Sequence, residues 1–336
     1  MNTQVWYTPK AGAISRLTQR TQPLLELTNN EVRVAVKSIG LNFADIFAIT
    51  GLYSATPQGA FTPGLEYSGE VIQSRSAQYK VGDRVMGVTR FGGYSSVINT
   101  PDNYLTPLPS GWSYQQGAAY LVQTLTAYYA LTELGHIKPH QTVLIHSAAG
   151  GVGLQAMKLV KAMGAKPIGT VRSRNKAEYL KKLGFNDVMV RESNFKKQLL
   201  QSQYRFDLVL DGVGGDVQKA SFNALNPMGR LIVFGAAEFT PGKNRPNYLS
   251  AILKYLKRPK YDVMDMISDN KSVMAFNLIW LWEQVDYLSQ LIRVMQTIEI
   301  APPYVGHEFD FNDAKAAIEC LRQGNTIGKV VLNVGS

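Results

Sequence analysis

The sequence is short of several things, and each shortage removes a class of protein. It holds one cysteine, Cys320, in 336 residues. A single thiol makes no intramolecular disulfide and leaves no cysteine cluster for a structural zinc. Histidine is scarce too: His136, His140, His146 and His307 are the full set of four, without the spacing of a ligand group, so each reads as a surface or packing residue and no metal is expected. No apolar stretch reaches the ~18 residues that a membrane-crossing helix requires. Met1 to Lys10 lack a basic segment followed by an apolar run, so no signal peptide is legible. These absences read as a soluble, cytoplasmic protein. With 45% hydrophobic and 18% charged residues, 13 Phe, 17 Tyr and 4 Trp, the chain is not a disordered one.

Acidic residues are missing from one region in particular. The formal charge of +10 comes from 35 Lys/Arg against 25 Asp/Glu, and it is concentrated in the middle of the chain. Residues 1–119 carry a net +2, residues 120–262 a net +12, and residues 263–336 a net −4. Between Glu133 and Glu178 there is no acid at all. Such a field attracts nucleic acid, an anionic membrane or a phosphorylated small molecule, and charge alone does not choose.

At ~100–200 residues per domain the length implies about two domains. No internal repeat appears, which argues against a solenoid. The first 120 residues hold short β-like runs at Val32–Ser38, Gly69–Ser74, Arg84–Val88 and Tyr94–Asn99, punctuated by turn residues, and predict a small β-rich barrel or sandwich. From about residue 120 apolar strands alternate with helical periods. Strands are expected at Thr142–His146, Pro167–Thr170, Val188–Val190, Phe206–Leu210, Leu231–Phe234 and Val273–Leu278. The intervening helices are Leu154–Met163, Asn175–Leu183, Ser193–Gln201 and Val217–Leu225. That alternation predicts an α/β doubly wound parallel sheet of six strands. A helix at Asn312–Leu321, with Asn312 as N-cap, and a strand at Gly328–Val334 close the chain. The expected division is residues 1–120 completed by 280–336, with 121–279 as a dinucleotide-binding domain.

The chemistry is most legible where the strand Thr142–His146 runs into Ser147-Ala148-Ala149-Gly150-Gly151-Val152-Gly153 and a helix. Gly150 and Gly153 take the second and third places of a G-x-G-x-x-G frame, and Ala148 stands in the first. Gly150 would let the backbone approach a pyrophosphate, and Gly153 would let the helix pack on the strand. The helix N-terminus supplies free N–H groups. A tight turn of small residues is the plainer alternative. The next strand ends in Gly169-Thr170-Val171-Arg172-Ser173-Arg174-Asn175-Lys176, where an NAD site would want an acid. Arg172, Arg174 and Lys176 instead suit a 2′-phosphate, so NADP(H) is the expected cofactor.

At these residues the chain resembles the medium-chain dehydrogenase/reductase superfamily, in its zinc-independent quinone oxidoreductase branch. The resemblance is carried along the whole length by Gly40-Leu41-Asn42-Phe43-Ala44-Asp45, Gly51-Leu52-Tyr53, Pro63-Gly64-Leu65-Glu66, Val81-Gly82-Asp83-Arg84-Val85, Thr126-Ala127-Tyr128-Tyr129, Ala148–Gly153 and Gly328-Lys329-Val330-Val331-Leu332. Asn247–Leu256 and Met274–Leu278 are similar to the vesicle amine transport protein subgroup. The resemblance implies a GroES-like β-barrel domain beside a Rossmann domain, with the cofactor in the cleft between them and a homodimer as the assembly. It implies cofactor contacts at Tyr53, Thr126, Gly150, Gly151, Val152, Gly153, Gly169, Lys176, Arg191, Phe234, Gly235, Ala236, Phe276, Asn277, Leu278 and Lys329. Arg191 stands where the family has a tyrosine.

Zinc members of the superfamily carry cysteine where this chain has Asn42, and Gly-His-Glu where it has Gly64-Leu65-Glu66. Without a metal to polarise a carbonyl, the implied acceptor is already electrophilic: a quinone or a conjugated enone taking hydride from NADPH. Tyr53 and Asn42 are the candidates for polarising the acceptor oxygen. Tyr53 alternatively packs on the cofactor, and Asn42 alternatively shapes its loop. The basic run Lys254-Tyr255-Leu256-Lys257-Arg258-Pro259-Lys260 leaves a second reading open, a weakly catalytic protein bound to a membrane or RNA.

Overall fold

The computed structural model describes residues 1–335. Strands β1 (Asn2–Tyr7) and β2 (Thr18–Pro23) form an antiparallel ribbon. The long strand β3 (Glu31–Gly40) leads through Asn42 into helix α1 (Phe43–Thr50), which Gly51 ends with a φ of 76°. Next come β4 (Glu66–Ser74), β5 (Arg84–Val88), β6 (Val97–Pro101) and β7 (Leu105–Pro107), all antiparallel to their neighbours. Helices α2 (Tyr114–Ala118) and α3 (Leu121–Tyr129) then carry the chain to a second sheet.

The second sheet is built from β8 (Thr142–Ile145), β9 (Lys166–Val171), β10 (Val188–Val190), β11 (Phe206–Asp211), β12 (Leu225–Val233) and β13 (Ser272–Ala275). Its order is β10-β9-β8-β11-β12-β13, every pair parallel. Helices α4 (Gly151–Ala162), α5 (Arg174–Lys182), α6 (Phe195–Gln201) and α7 (Gly215–Asn223) are the crossovers. Alternation along β8 shows why both faces are covered. Val143 and Ile145 enter the core with α4 and α5, whereas Leu144 enters the core with α6 and α7. The strand order reverses on either side of β8, so a crevice opens at its C-terminal end, the place where such sheets bind ligands.

Between β12 and β13 lie α8 (Tyr248–Lys257) and α9 (Val263–Asp269), neither with a buried residue. Helix α10 (Val285–Gln296) packs Leu288, Leu291, Ile292 and Met295 into the core that α3 and α4 share. The chain then adds β14 (Val305–Asp310), α11 (Ala314–Arg322) and β15 (Lys329–Asn333). Strand β15 pairs antiparallel with β3, so the last strand completes the first sheet, ordered β14-β15-β3-β4-β5-β7 with β6 beside β3. The expected architecture is present: a GroES-like β unit and a Rossmann sheet of six parallel strands.

The differences from the sequence expectations are local. Strand β12 starts at Leu225, where a helix end was expected, because a bulge before Arg230 admits Asn-Pro-Met-Gly into the strand, with Met228 at φ 67°. Asn312 does not cap α11; Asp313 holds that place, and Asn312 accepts a hydrogen bond from Gln19. The sixth strand stops at Ala275, since Asn277 caps the 3-10 turn Leu278–Glu283. Lys254–Lys257 of the basic run belong to α8.

One ion pair joins strands that do not touch. Lys329 on β15 and Glu66 on β4 meet at 2.5 Å across the intervening β3, with both side chains 1% exposed. Gly40 of β3 makes the room: a Cβ there would sit 2.9 Å from Lys329 Cε and 3.0 Å from Glu66 Cγ. Removing one partner strands the other charge in a dry interior. Lys329→Met should therefore cost about 3–5 kcal/mol in urea unfolding, and adding Glu66→Leu should return part of that loss.

Candidate active site

The crevice at the end of β8 faces the first sheet and opens into a cleft of about 700 Å³, within the usual range for cofactor and ligand sites. Its floor is the glycine loop. Ser147 takes a φ of 53°, Gly150 N–H donates to the Ser147 carbonyl at 2.8 Å, and α4 starts at Gly151. The first N–H groups of α4 have no partner inside the helix and face the cleft through Gly151, Val152 and Gly153. A Cβ on Gly153 would lie 2.3 Å from the Ser147 oxygen, and one on Gly151 would lie 2.0 Å from Gln123 Nε2. Gly153 is thus required by the strand-to-helix packing, where a Cβ would meet backbone, whereas a Cβ at Gly151 would meet only the end of the Gln123 side chain. The loop is also pinned from the β unit, because Gly328 N–H donates to the Ala149 carbonyl at 2.8 Å.

At one end the cleft is cationic. Arg172, Lys176 and Arg191 all line it, and none of them forms an ion pair among the described residues. Lys176 Nζ donates to the Gly324 carbonyl at 2.7 Å. Arg191 Nη1 is buried with no hydrogen-bond partner among the described residues. Burial first, and then the neighbouring cations, push the Lys176 and Arg191 groups below their ordinary ranges. Three crowded cations with an unsatisfied guanidinium N–H fit a multiply charged anion. The glycine loop beside them fits a pyrophosphate.

The other end is apolar, lined by Phe43, Phe47, Leu52, Leu65, Ile279 and Trp282. The Tyr53 hydroxyl donates to Asn277 Oδ1 at 2.7 Å, bridging the loop after α1 to the loop after β13. Burial pushes the Tyr53 phenol up to about 12, so it stays protonated. Asn42 lies deeper, against the Lys329–Glu66 pair. Its Oδ1 accepts from Lys329 Nζ at 2.8 Å, and its Nδ2 donates to Glu66 at 3.0 Å and to the Gly40 carbonyl at 3.3 Å. Glu66 accepts in addition from Val122 N–H at 3.0 Å, at the start of α3. Asn42 therefore has no N–H left for an acceptor and acts as a spacer in a buried network.

Of the residues singled out from the sequence, the cleft gathers Asn42, Tyr53, Thr126, Gly150, Gly151, Val152, Gly153, Arg172, Lys176, Arg191, Phe234, Gly235, Ala236, Phe276, Asn277, Leu278 and Lys329. Two stand outside it. Gly169 sits beneath the loop, where a Cβ would lie 2.9 Å from Ala148 Cβ, so its smallness serves packing. Arg174 opens α5 with its side chain exposed to solvent. The sequence reading passed over Gln123, Glu66 and Tyr255, which α3, β4 and α8 bring to the cleft or its floor. His146 is a packing residue as expected: it bonds Thr170 and Ser221 at 2.8 Å each, and burial drives it down to about 3, leaving it neutral.

The fold and this cleft define a two-unit dinucleotide-binding protein. Residues 28–110 match the family model of the alcohol dehydrogenase GroES-like domain, and residues 151–279 match that of the zinc-binding dehydrogenases. The chain is 31% identical over 313 residues to the synaptic vesicle membrane protein VAT-1 homolog of Danio rerio, covering 91% of this chain and 64% of that one. It thus spans less than two thirds of that relative. It is 30% identical over 324 residues to the quinone oxidoreductase-like protein 2 homolog of Nematostella vectensis, covering 91% and 82%. Among solved structures it is similar to the quinone oxidoreductase of Thermus thermophilus, described with its NADPH complex, at a TM-score of 0.81 and 26% identity over 98% of this chain and 99% of that one. The chain belongs to the medium-chain dehydrogenase/reductase superfamily, in its quinone oxidoreductase-like branch.

The name of one matching model raises zinc, and the residues do not fit it. Position 42 offers an amide whose atoms are all engaged, position 65 offers leucine, and Glu66 is already neutralised by Lys329. No three His, Cys, Asp or Glu converge into a ligand set among the described residues.

Asp45 adds a titrating group beneath this network. Its Oδ2 accepts from Asn42 N–H at 2.8 Å and from the Tyr94 hydroxyl at 3.1 Å, while Oδ1 is buried without a partner. Burial raises its carboxyl to about 7; the Asn42 N–H, Lys329 and Tyr94 oppose that rise, and Glu66 adds to it. Between about pH 4 and 7 the folded chain holds a proton that the unfolded chain has released, so this group makes stability fall as pH rises through that window. Asp45→Asn keeps an acceptor and removes the charge. It should raise stability at pH 8 by on the order of 1–4 kcal/mol and change little at pH 4, as read from urea midpoints.

Proposed function

We propose that this protein is an NADPH-dependent, metal-independent reductase that delivers hydride to a quinone or a conjugated enone. The observation that carries the reading is the division of the cleft into a cationic end whose Arg172, Lys176 and Arg191 have no ion-pair partner among the described residues and an apolar end. When bound, NADPH supplies the hydride. Arg172, Lys176 and Arg191 would hold the 2′-phosphate, and the N–H groups of Gly151, Val152 and Gly153 the pyrophosphate. Thr126, Phe234, Gly235, Ala236, Phe276 and Leu278 would line the rest of the path. Phe43, Phe47, Leu65, Ile279 and Trp282 exclude water and favour a neutral, planar acceptor over a carboxylate. An acceptor that is already electrophilic needs no Lewis acid, only alignment and a hydrogen bond for its oxygen.

The working division of the chain is a β unit from residues 1–120 completed by 280–336, and a cofactor unit from 121–279. The packing of α10 on α3 and α4 supports drawing that helix into the cofactor unit. A cytoplasmic homodimer remains the proposed setting; no helix among the described residues is long and apolar enough to cross a membrane. Helices α8 and α9 favour a second reading, a cofactor-binding protein of low activity that lies on a membrane. Leu249, Ile252, Leu256, Val263, Met264 and Ile267 are each at least 55% exposed beside Lys254, Lys257 and Arg258. NADPH turnover against a panel of quinones and enones separates the two, and an inert panel would favour the second.

Two outcomes test the cofactor half. NADPH should bind at least tenfold more tightly than NADH in fluorescence titrations, since one charged hydrogen bond contributes ~1.5–3 kcal/mol. Arg191→Ala, which breaks no internal bond of Nη1, should remove most of that preference; equal affinities in the wild type would defeat the assignment. Treatment with a chelator should leave turnover and thermal stability unchanged, and stoichiometric zinc by elemental analysis would contradict metal independence.

A further inference from the structure

At the apolar end of the cleft, the hydrogens of the polar side chains can be traced one by one. Asn42 has given both amide hydrogens to Glu66 and Gly40, and Thr126 donates to the Val122 carbonyl at 2.6 Å. Tyr53 donates to Asn277. The Lys329 ammonium is held by Asn42 and Glu66 on a side chain 1% exposed. Thr240 Oγ1 and the Trp282 indole N–H also have no partner, but both atoms are sealed from open space. Ser54 stands on the exposed rim, and the Gln123 amide lies against Gly151 on the glycine loop.

Asn277 is different. Its Oδ1 accepts twice, from the Tyr53 hydroxyl at 2.7 Å and from Ile279 N–H at 3.4 Å, where it caps the 3-10 turn. A backbone N–H can only donate, so the atom facing Ile279 is the oxygen. The oxygen must then be what Tyr53 meets as well, and the phenol must be the donor. The Nδ2 group is left on the opposite side of the carboxamide, with two N–H bonds and no partner among the described residues, on a side chain that lines the cleft.

We propose that the Asn277 carboxamide receives the acceptor's oxygen through a hydrogen bond from Nδ2, and that Tyr53 orients this carboxamide instead of donating to the acceptor itself. The inference rests on the reductase reading above. As hydride reaches an enone carbon or a quinone, the conjugated oxygen gains negative charge, and an N–H fixed beforehand at that position stabilises it without reorganising. A carboxamide does not give up its proton, so the proton that completes the reduction comes from water. Tyr53 follows α1 of the β unit and Asn277 follows β13 of the parallel sheet, so their hydrogen bond joins the two units. The donor is therefore aimed only while the two units are closed on each other.

Asn277→Leu keeps the side chain's shape and removes its N–H groups, whereas Tyr53→Phe breaks the same bridge and leaves the amide in place. On an enone, Asn277→Leu should lower kcat about 10²–10³-fold with NADPH affinity unchanged. Tyr53→Phe should lose less than tenfold, and the Asn277→Leu loss should be smaller on quinones, whose reduced oxygens are less basic. Binding of p-nitrophenolate to the cofactor-free protein, followed by its visible absorbance, reads the donor without turnover. Asn277→Leu should weaken it at least tenfold while p-nitroanisole binding stays unchanged. Asn277→Ala, which needs no extra room, serves if the leucine variant does not fold. Equal losses in the Tyr53 and Asn277 variants, or wild-type phenolate affinity in the latter, would overturn the proposal. A wild type that reduces no acceptor would sink the reductase reading, and the phenolate comparison would still decide where the donor lies.

Discussion

The buried ammonium of Lys329 sets the terms for the rest of the cleft. An isolated charge in a dry interior is intolerable unless paired and hydrogen-bonded. Glu66 supplies the pairing, Asn42 Oδ1 supplies a further acceptor, and Gly40 supplies the space over β3 in which they meet. The second oxygen of Glu66 holds the first turn of α3, and the backbone of Asn42 is held by Asp45. Four elements and the final strand are thus fixed relative to one another through a single charge. The closing strand, paired with β3 and packed through Val330 and Leu332, brings the last member of that set with its first residue.

The cost of this arrangement is visible in Asp45. One of its oxygens has no partner, and burial outweighs the three groups that favour its ionised form. Below about pH 7 Asp45 holds its proton, and Glu66 is the acid that pairs with Lys329. The cationic end of the cleft has the opposite imbalance: Arg172, Lys176 and Arg191 crowd together without an acid in contact, and an Arg191 nitrogen is left bare. Both atoms are buried; Asp45 meets the want of a partner by a shift in protonation, whereas Arg191 is a guanidinium on a residue that lines the cleft.

Much of the architecture was legible because it rests on local pattern. Alternation of strand and helical periods gave six parallel strands within a residue or two, except at β12, where the bulge at Met228 hides a strand behind turn-forming residues, and at β13, which ends three residues early before the Asn277 cap. The stretch without acids before Glu178 pointed to the cationic end of the cleft. Long-range pairing was not legible. Nothing in the sequence ties Lys329 to Glu66 or Tyr53 to Asn277, which lie 263 and 224 residues apart. Arg191 and Asn277 came into view through a family resemblance, not through any spacing. Helix α8 was not read from the sequence although Leu249, Ile252, Leu253 and Leu256 recur at helical spacing; that apolar face meets no core in the fold.

Asn42 and Asn277 show why residue type alone misplaces function. Both are asparagines at the start of a helical turn, both line the cleft, and both were candidates from the same resemblance. One has its oxygen on an ammonium and its two hydrogens on a carboxylate and a carbonyl, so its chemistry is complete without a ligand. The other has its oxygen filled twice and its hydrogens unpartnered. At an end of the cleft lined largely by apolar side chains, an N–H without a partner is costly when water is excluded, and the cost is relieved by the oxygen of a bound molecule. The same residue type is a structural spacer in the first place and a receptor for oxygen in the second, and only the tally of hydrogen bonds tells them apart.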